Sequence, residues 1–201
     1  MLDEVLYLTP DDLGGPSLDT NNAPLPTSSE PPIFIPGIGP DGRFFAVEKI
    51  RAHREGIHHL ALSIFVFDGE ELLIQRRADH KYHCGGQWAN TCCTHPHLGE
   101  DAETAAKRRL QEELGFSIPV EEKLVVEYSA DVGNGLWERE RVHMFCAKAS
   151  KKTLHVLPNP EEVSETRWIS AAELHQEIQK NPNNFTPWFR IYLKRFPDLT
   201  F

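Results

Sequence analysis

Trp88-Ala-Asn-Thr-Cys-Cys-Thr-His-Pro-His-Leu-Gly-Glu100 runs without a break into Asp101-Ala-Glu-Thr-Ala-Ala-Lys-Arg-Arg-Leu-Gln-Glu-Glu-Leu-Gly115. The reading of these two halves decides the fold. The second half predicts a helix over 101–114, with Gly115 as its C-cap. Ala102, Ala105, Ala106, Arg109, Leu110 and Glu113 share one side of it at helical spacing. The alanines let that side approach a sheet closely. Arg109 and Glu113 sit one turn apart, and an internal salt bridge is their plainest reading. The first half is loop-like and collects an indole, an amide, two thiols and two imidazoles. Few structural loops need that inventory, whereas a site for proton transfer or metal binding does.

Outward from this core, Leu60–Phe67 predicts a buried strand, Asp68-Gly69 a hairpin turn and Glu71–Gln75 the return strand. Downstream, Lys123–Tyr128, Arg141–Lys148 and Glu165–Ile169 are strand candidates. Ser170 caps a helix of about ten residues, where Glu173 completes a capping box. Pro187 opens a terminal helix containing Trp188. Strands interleaved with helices predict an α+β fold, layered α/β/α, with a mixed β-sheet between helices. Residues 1–42 are rich in Pro, Gly, Ser and Asp and read as an extended N-terminal arm, with the domain over 43–201.

The chain has 201 residues, of which 30 are acidic and 21 basic, for a formal charge of -9. That balance argues against nucleic acid and acidic lipid as partners. No apolar run is long enough to span a membrane, and the first residues lack the basic region of a secretion signal. A cytoplasmic protein with free thiols is expected. The four cysteines, Cys84, Cys92, Cys93 and Cys146, match neither a disulfide framework nor a paired zinc motif.

Several groups carry chemistry. If 90–95 is extended, Cys92 and Cys93 point to opposite faces, one to the core and one to a cleft. His53, His58, His59, His95 and His97 supply imidazoles suited to transition metals. Glu138 and Glu140, two apart, share one face of a strand, and a cation between them would relieve their repulsion. Lys49, Arg76, Arg77, Lys81 and Arg109 could converge on an anion. Tyr128, Trp137 and Trp188 are candidates for the apolar end of the same cleft.

These motifs resemble the type I isopentenyl-diphosphate delta-isomerases of the Nudix superfamily. The likeness covers about residues 44–195. It rests on Trp88-x-Asn90-Thr91-x-Cys93-x-His95-Pro96 with Leu98-Gly99-Glu100, on Arg108-Arg-Leu-Gln-Glu-Glu-Leu-Gly115, on Glu138-Arg-Glu140 and on Pro187-Trp188. The resemblance implies a Nudix-like fold and interconversion of isopentenyl and dimethylallyl diphosphate, with an isoprenoid diphosphate as the only partner of a monomer or homodimer. It implies that His53, His59, His95, Glu138 and Glu140 hold one divalent metal (Mg²⁺, Mn²⁺ or Zn²⁺). Cys93 and Glu140 would be the proton-transfer residues, with Tyr128 assisting Glu140 and Trp188 over the cationic intermediate. Glu113, with the backbone carbonyl of Cys93, would hold a second ion, Mg²⁺. Lys49, Arg77, Lys81 and Arg109 would contact the diphosphate. Two departures stand out. Arg109 replaces the first catalytic Glu of the hydrolases, a change shared within this family, and Gly85-Gly86 lies where Pro-Gly is common. The alternatives are a Nudix hydrolase of a nucleoside or prenyl diphosphate, which Arg109 disfavours, and a non-catalytic diphosphate-binding protein.

Overall fold

A computed structural model describes residues 32–199 and the backbone of Leu6–Tyr7. Among these residues the strands are β1 (Leu6–Tyr7), β2 (Phe34–Ile38), β3 (Phe44–Glu48), β4 (His59–Asp68), β5 (Glu71–Arg77), β6 (Trp88–Ala89), β7 (Cys92–Thr94), β8 (Glu121–Gly133), β9 (Leu136–Lys148) and β10 (Val163–Ser170). The helices are α1 (Lys49–Glu55), α2 (Ala102–Leu114), α3 (Ala171–Lys180) and α4 (Pro187–Arg195). All strands join one mixed sheet with a main path β1-β8-β9-β4-β2-β3. The central pair, β4 and β9, is parallel from His59↔Glu140 to Phe67↔Lys148. β10 extends the sheet through β5, and β7 lies antiparallel against β4.

The period of two along β4 sorts its side chains between layers. Leu62, Ile64 and Val66 join Ala105, Ala106, Leu110 and Leu114 of α2 on one face. Ala61 and Phe65 join Trp188, Phe189 and Tyr192 of α4 on the other. The α/β/α layering is therefore as expected. Ala105 and Ala106 are fully buried, which places the α2 backbone close to the sheet. Asp101 caps α2 by accepting from the Thr104 amide at 2.9 Å. Ser170 and Glu173 form the capping box of α3.

Some elements depart from the sequence reading. The hairpin after β4 turns on Gly69 and Glu70, because Asp68 still pairs with Glu71. The loop read over 77–100 contains β6 and β7. β8 and β9 are thirteen residues each, so Glu138 and Glu140 lie within a strand rather than at its entrance. α1 was not expected from the sequence. Glu48 starts it by accepting from the amides of Ile50 and Arg51, and Gly56 ends it in the left-handed region. Of the segment expected as an arm, Phe34–Ile38 is a sheet strand that pairs with β3 and touches β4 at Gly37↔His59. Most of that segment lies outside the described residues. No helix among the described residues is long and apolar enough to cross a membrane.

Gly115 combines φ +75° with a close approach to the 157 loop: a Cβ there would lie 2.8 Å from Leu157 Cβ and 2.9 Å from its carbonyl oxygen. Leu157 in turn donates its amide to Leu114. Gly115→Ala should destabilise the fold by at least about 1 kcal/mol, measured by urea unfolding. An unchanged midpoint would mean that the turn relaxes freely.

Candidate active site

Register brings the site together. β9 alternates buried and exposed positions through 136–140, so Glu138 and Glu140 face inward while Trp137 and Arg139 face out. Glu140 sits beside His59 on β4 and opposite Tyr128 on β8. His53 projects from α1, and His95 follows β7. His53, His59, His95, Glu138 and Glu140 each offer a ligand atom, all within 4.8 Å of one another.

The donor set fits a divalent cation. His53 Nδ1 meets the Lys49 carbonyl at 2.7 Å, leaving Nε2 buried without a hydrogen-bond partner. His59 Nδ1 meets the Ile57 carbonyl at 2.7 Å, and its Nε2 lies 3.1 Å from His95 Nε2. His95 Nε2 is 2.9 Å from Glu140 Oε1. Backbone acceptors on the far side of a ring fix its tautomer and orient the ligating nitrogen. Burial pushes His53 down to about 2 and His95 down to about 4. Both rings are therefore neutral, the form that coordinates metal. The carboxylates are driven apart: burial and Glu140 hold Glu138 well above the usual range. Burial also opposes ionisation of Glu140, but hydrogen bonds from Glu138, His59 and His95 hold it well below that range. Two buried carboxylates in contact share a proton unless a cation replaces it.

Next to this cluster, Ser63↔Cys93 pairing places the Cys93 thiol at the cleft. Cys92 is fully buried in the α2-side core, so the alternation assigns Cys93 to the cleft and Cys92 to the interior. Cys93 Sγ donates to Asn90 Oδ1 at 2.8 Å and lies 3.3 Å from Ser63 Oγ. Ser63 in turn meets Tyr192 Oη at 3.0 Å. Asn90 is itself fixed, donating to the carbonyls of Ile64 and Cys92. Burial pushes the Cys93 thiol up to about 12, so it keeps its proton. Tyr128 Oη donates to Glu140 Oε2 at 2.7 Å.

One cleft is lined by Cys93, Glu140, Tyr128 and Trp188 and also by Lys49, Arg77, Lys81, Arg109 and Glu113. Arg77 lies over the Trp188 ring at 5.5 Å. Burial, then Arg109 and Lys81, bring Lys49 down to about 8. Glu113 stands apart from the five-donor cluster, held by Arg109 at 2.5 Å and by Gln75 Nε2 at 3.0 Å. Of the other candidates, His58 points to Glu127, His97 is half exposed on the surface, Trp137 faces outward and Arg76 binds the Gly86 carbonyl. Gly85 is required where it stands, because a Cβ there would collide with the Asp79 carbonyl.

Sequence reasoning missed His83, Tyr82, Ser63, Gln75 and Glu162, and it quoted Asn90 without giving it a role. His83 is buried, stacks on His53 at 5.6 Å and meets the Trp188 edge at 5.9 Å. Its position two residues after Lys81 was the only signal available. Gln75 and Ser63 looked like ordinary strand residues.

A family model for the NUDIX domain matches residues 57–189. The MutT protein of Methanosarcina mazei has the same fold: its TM-score is 0.55 at 15% identity, over 69% of this chain and 92% of its own. The chain is thus a NUDIX-domain protein. The Isopentenyl-diphosphate Delta-isomerase of Cereibacter sphaeroides is 54% identical over 154 residues, 76% of this chain and 86% of its own. That of Rhodobacter capsulatus is 48% identical over 162 residues, 80% and 92%. The chain belongs to the isopentenyl-diphosphate Delta-isomerase family.

Loss of the cation should be visible without an activity assay. A metal present at about one hundred times its dissociation constant stabilises the fold by about 2.7 kcal/mol, which at this size is about 5–10 °C of melting temperature. Chelation should lower the midpoint by that amount, and refilling should restore it. His95→Ala should lose the bound divalent ion, as read by elemental analysis for zinc, manganese and magnesium, and should show no further response to chelator. A chelator-insensitive wild type with no bound metal would sink the site.

Proposed function

We propose that this chain interconverts isopentenyl diphosphate and dimethylallyl diphosphate, shifting a carbon–carbon double bond by adding one proton and removing another. The observation that carries the reading is that a thiol, Cys93, and a carboxylate, Glu140, reach one buried cleft from different strands. An allylic 1,3-shift needs that pair. Protonation of the terminal alkene carbon leaves a tertiary carbocation, and loss of a proton two carbons away regenerates an alkene. The atoms balance, with one proton gained and one lost. Both groups must be held in fixed positions around the five-carbon unit.

Cys93 is the proton carrier on one side, its S–H aligned by Asn90 and Ser63. Glu140 is the carrier on the other, aligned by Tyr128 and His95. Trp188, 2% exposed, is placed to shield the cationic intermediate from water and stabilise it through its ring face. When bound by His53, His59, His95, Glu138 and Glu140, a divalent cation supplies the positive charge that keeps both carboxylates ionised in one place. Lys49, Arg77, Lys81 and Arg109 are the diphosphate-binding groups. Glu113, with the Cys93 carbonyl, is the holder of the Mg²⁺ that accompanies that diphosphate. The reading takes the enzyme to be cytoplasmic, with no nucleic-acid or membrane partner, acting as a monomer or homodimer. It divides the chain into an arm over 1–42 and an isomerase domain over 43–201.

Incubation with isopentenyl diphosphate in D₂O, followed by NMR, tests the reaction. The wild type should form dimethylallyl diphosphate carrying deuterium. Cys93→Ala and Glu140→Gln should each lower turnover by at least about 10²–10⁴-fold. Undiminished turnover in Cys93→Ala would remove the thiol from the mechanism. Release of phosphate or pyrophosphate with an unmoved double bond would show a hydrolase instead.

A further inference from the structure

Glu162 stands inside the basic pocket, and no step of the reaction uses it. It enters from the turn just before β10. Its Oε2 lies 2.5 Å from Lys81 Nζ, and its Oε1 lies 3.5 Å from Arg109 Nη2. That same Nη2 is 2.5 Å from Glu113 Oε1. Two of the four pocket cations are therefore already engaged with carboxylates. The Glu162 main chain is fastened: its carbonyl accepts from Ala78 and its amide donates to Asn159, both at 2.9 Å. Among the described residues, the side chain is held by the two cations alone.

An ordinary surface ion pair does not describe this geometry. The Lys81 and Glu162 side chains are 20% and 25% exposed and line the cleft. The neighbouring Glu161 is an ordinary surface case, 81% exposed and facing His80. Burial disfavours the Glu162 carboxylate, yet Lys81, Arg109 and Lys49 outweigh it and hold the group below the usual carboxylate range. Lys81 and Arg109 are both held by Glu162, so an anion that uses those cations competes with its carboxylate.

We propose that Glu162 is the resident counter-anion of this pocket and selects the Mg²⁺-loaded form of the diphosphate over the metal-free form. A metal-free diphosphate must push a like charge off Lys81 and Arg109. A Mg²⁺-loaded one carries a cation toward Glu113 and Glu162, so the same carboxylates turn from repelling to attracting. This role rests on the diphosphate reading of the pocket and adds to it a choice between metal states.

Titration calorimetry of the full-length protein with inorganic pyrophosphate, with and without added Mg²⁺, tests it. The wild type should bind more tightly with Mg²⁺. Glu162→Gln keeps the shape and removes the charge. It should tighten metal-free binding about tenfold or more while leaving the Mg²⁺-loaded affinity equal or weaker, so the preference collapses. Glu162→Asp keeps the charge and should keep the preference, which separates charge from packing. Metal-free binding that is unchanged or weaker in Glu162→Gln would overturn the role and make Glu162 a brace for Lys81. Failure of wild type and variants alike to bind pyrophosphate in either condition would overturn both this role and the diphosphate reading. Normal wild-type binding with an unaltered preference in Glu162→Gln would overturn this role alone.

Discussion

Two carboxylates, Glu138 and Glu140, lie on one face of β9 with 3% and 5% of their surface exposed, and the surrounding structure answers to that constraint. Two such charges cannot both persist in a dry interior without a positive partner. Three imidazoles surround them, and the Lys49 and Ile57 carbonyls orient the rings of His53 and His59. The arrangement is poor as a hydrophobic core and good as a chelate. Its stability is therefore linked to a cation, and so is the orientation of Glu140.

The sheet carries that constraint to the chemistry. β4 is the shared neighbour: on one edge it pairs with β9, bringing His59 beside Glu140, and on the other with β7, bringing Ser63 beside Cys93. Cys93 and Glu140 thus sit on strands flanking a single central strand, and a one-residue shift in register would exchange cleft and core faces. α2 and α4 clamp this strand from opposite sides through its alternating apolar residues. Within this frame hydrogen bonds from Tyr128 to Glu140 and between Cys93, Asn90 and Ser63 fix the carboxylate and the thiol.

The layered fold was legible because it is written in local patterns, whereas the candidate site residues were gathered into one set by the family resemblance. Helical spacing exposed α2, apolar runs about the Asp68-Gly69 turn exposed β4 and β5, Pro187 exposed α4, and the Glu-x-Glu spacing exposed a shared strand face. α1 was not legible: it has seven residues, and Ala52 and His53 are its only buried side chains, too few for a helical stripe. β6 and β7 are too short for a period to show, and tertiary pairing with β5 and β4 creates them. The same limit hid Ser63, Gln75 and Glu162. Their importance comes from contacts 30, 38 and 81 positions away, which no local spacing reveals. The face of Cys92 against that of Cys93 was open for a related reason, since alternation gives opposite faces without saying which is which.

Arg109 shows how one helix position redirects the cleft. It lies on the α2 face that meets the sheet, one turn from Glu113, and holds that carboxylate at 2.5 Å while reaching Glu112 and Glu162. A carboxylate at this position would add a ligand for ions that activate water against a phosphorus atom. A guanidinium cannot do so. It contributes fixed positive charge and planar donors, which suit holding a diphosphate intact. That matters for the chemistry proposed, because a carbocation adjacent to a diphosphate-bearing carbon skeleton is best protected by keeping the anion tightly bound and water absent. The same side chain thus withholds a metal ligand from the cleft and supplies fixed positive charge to it.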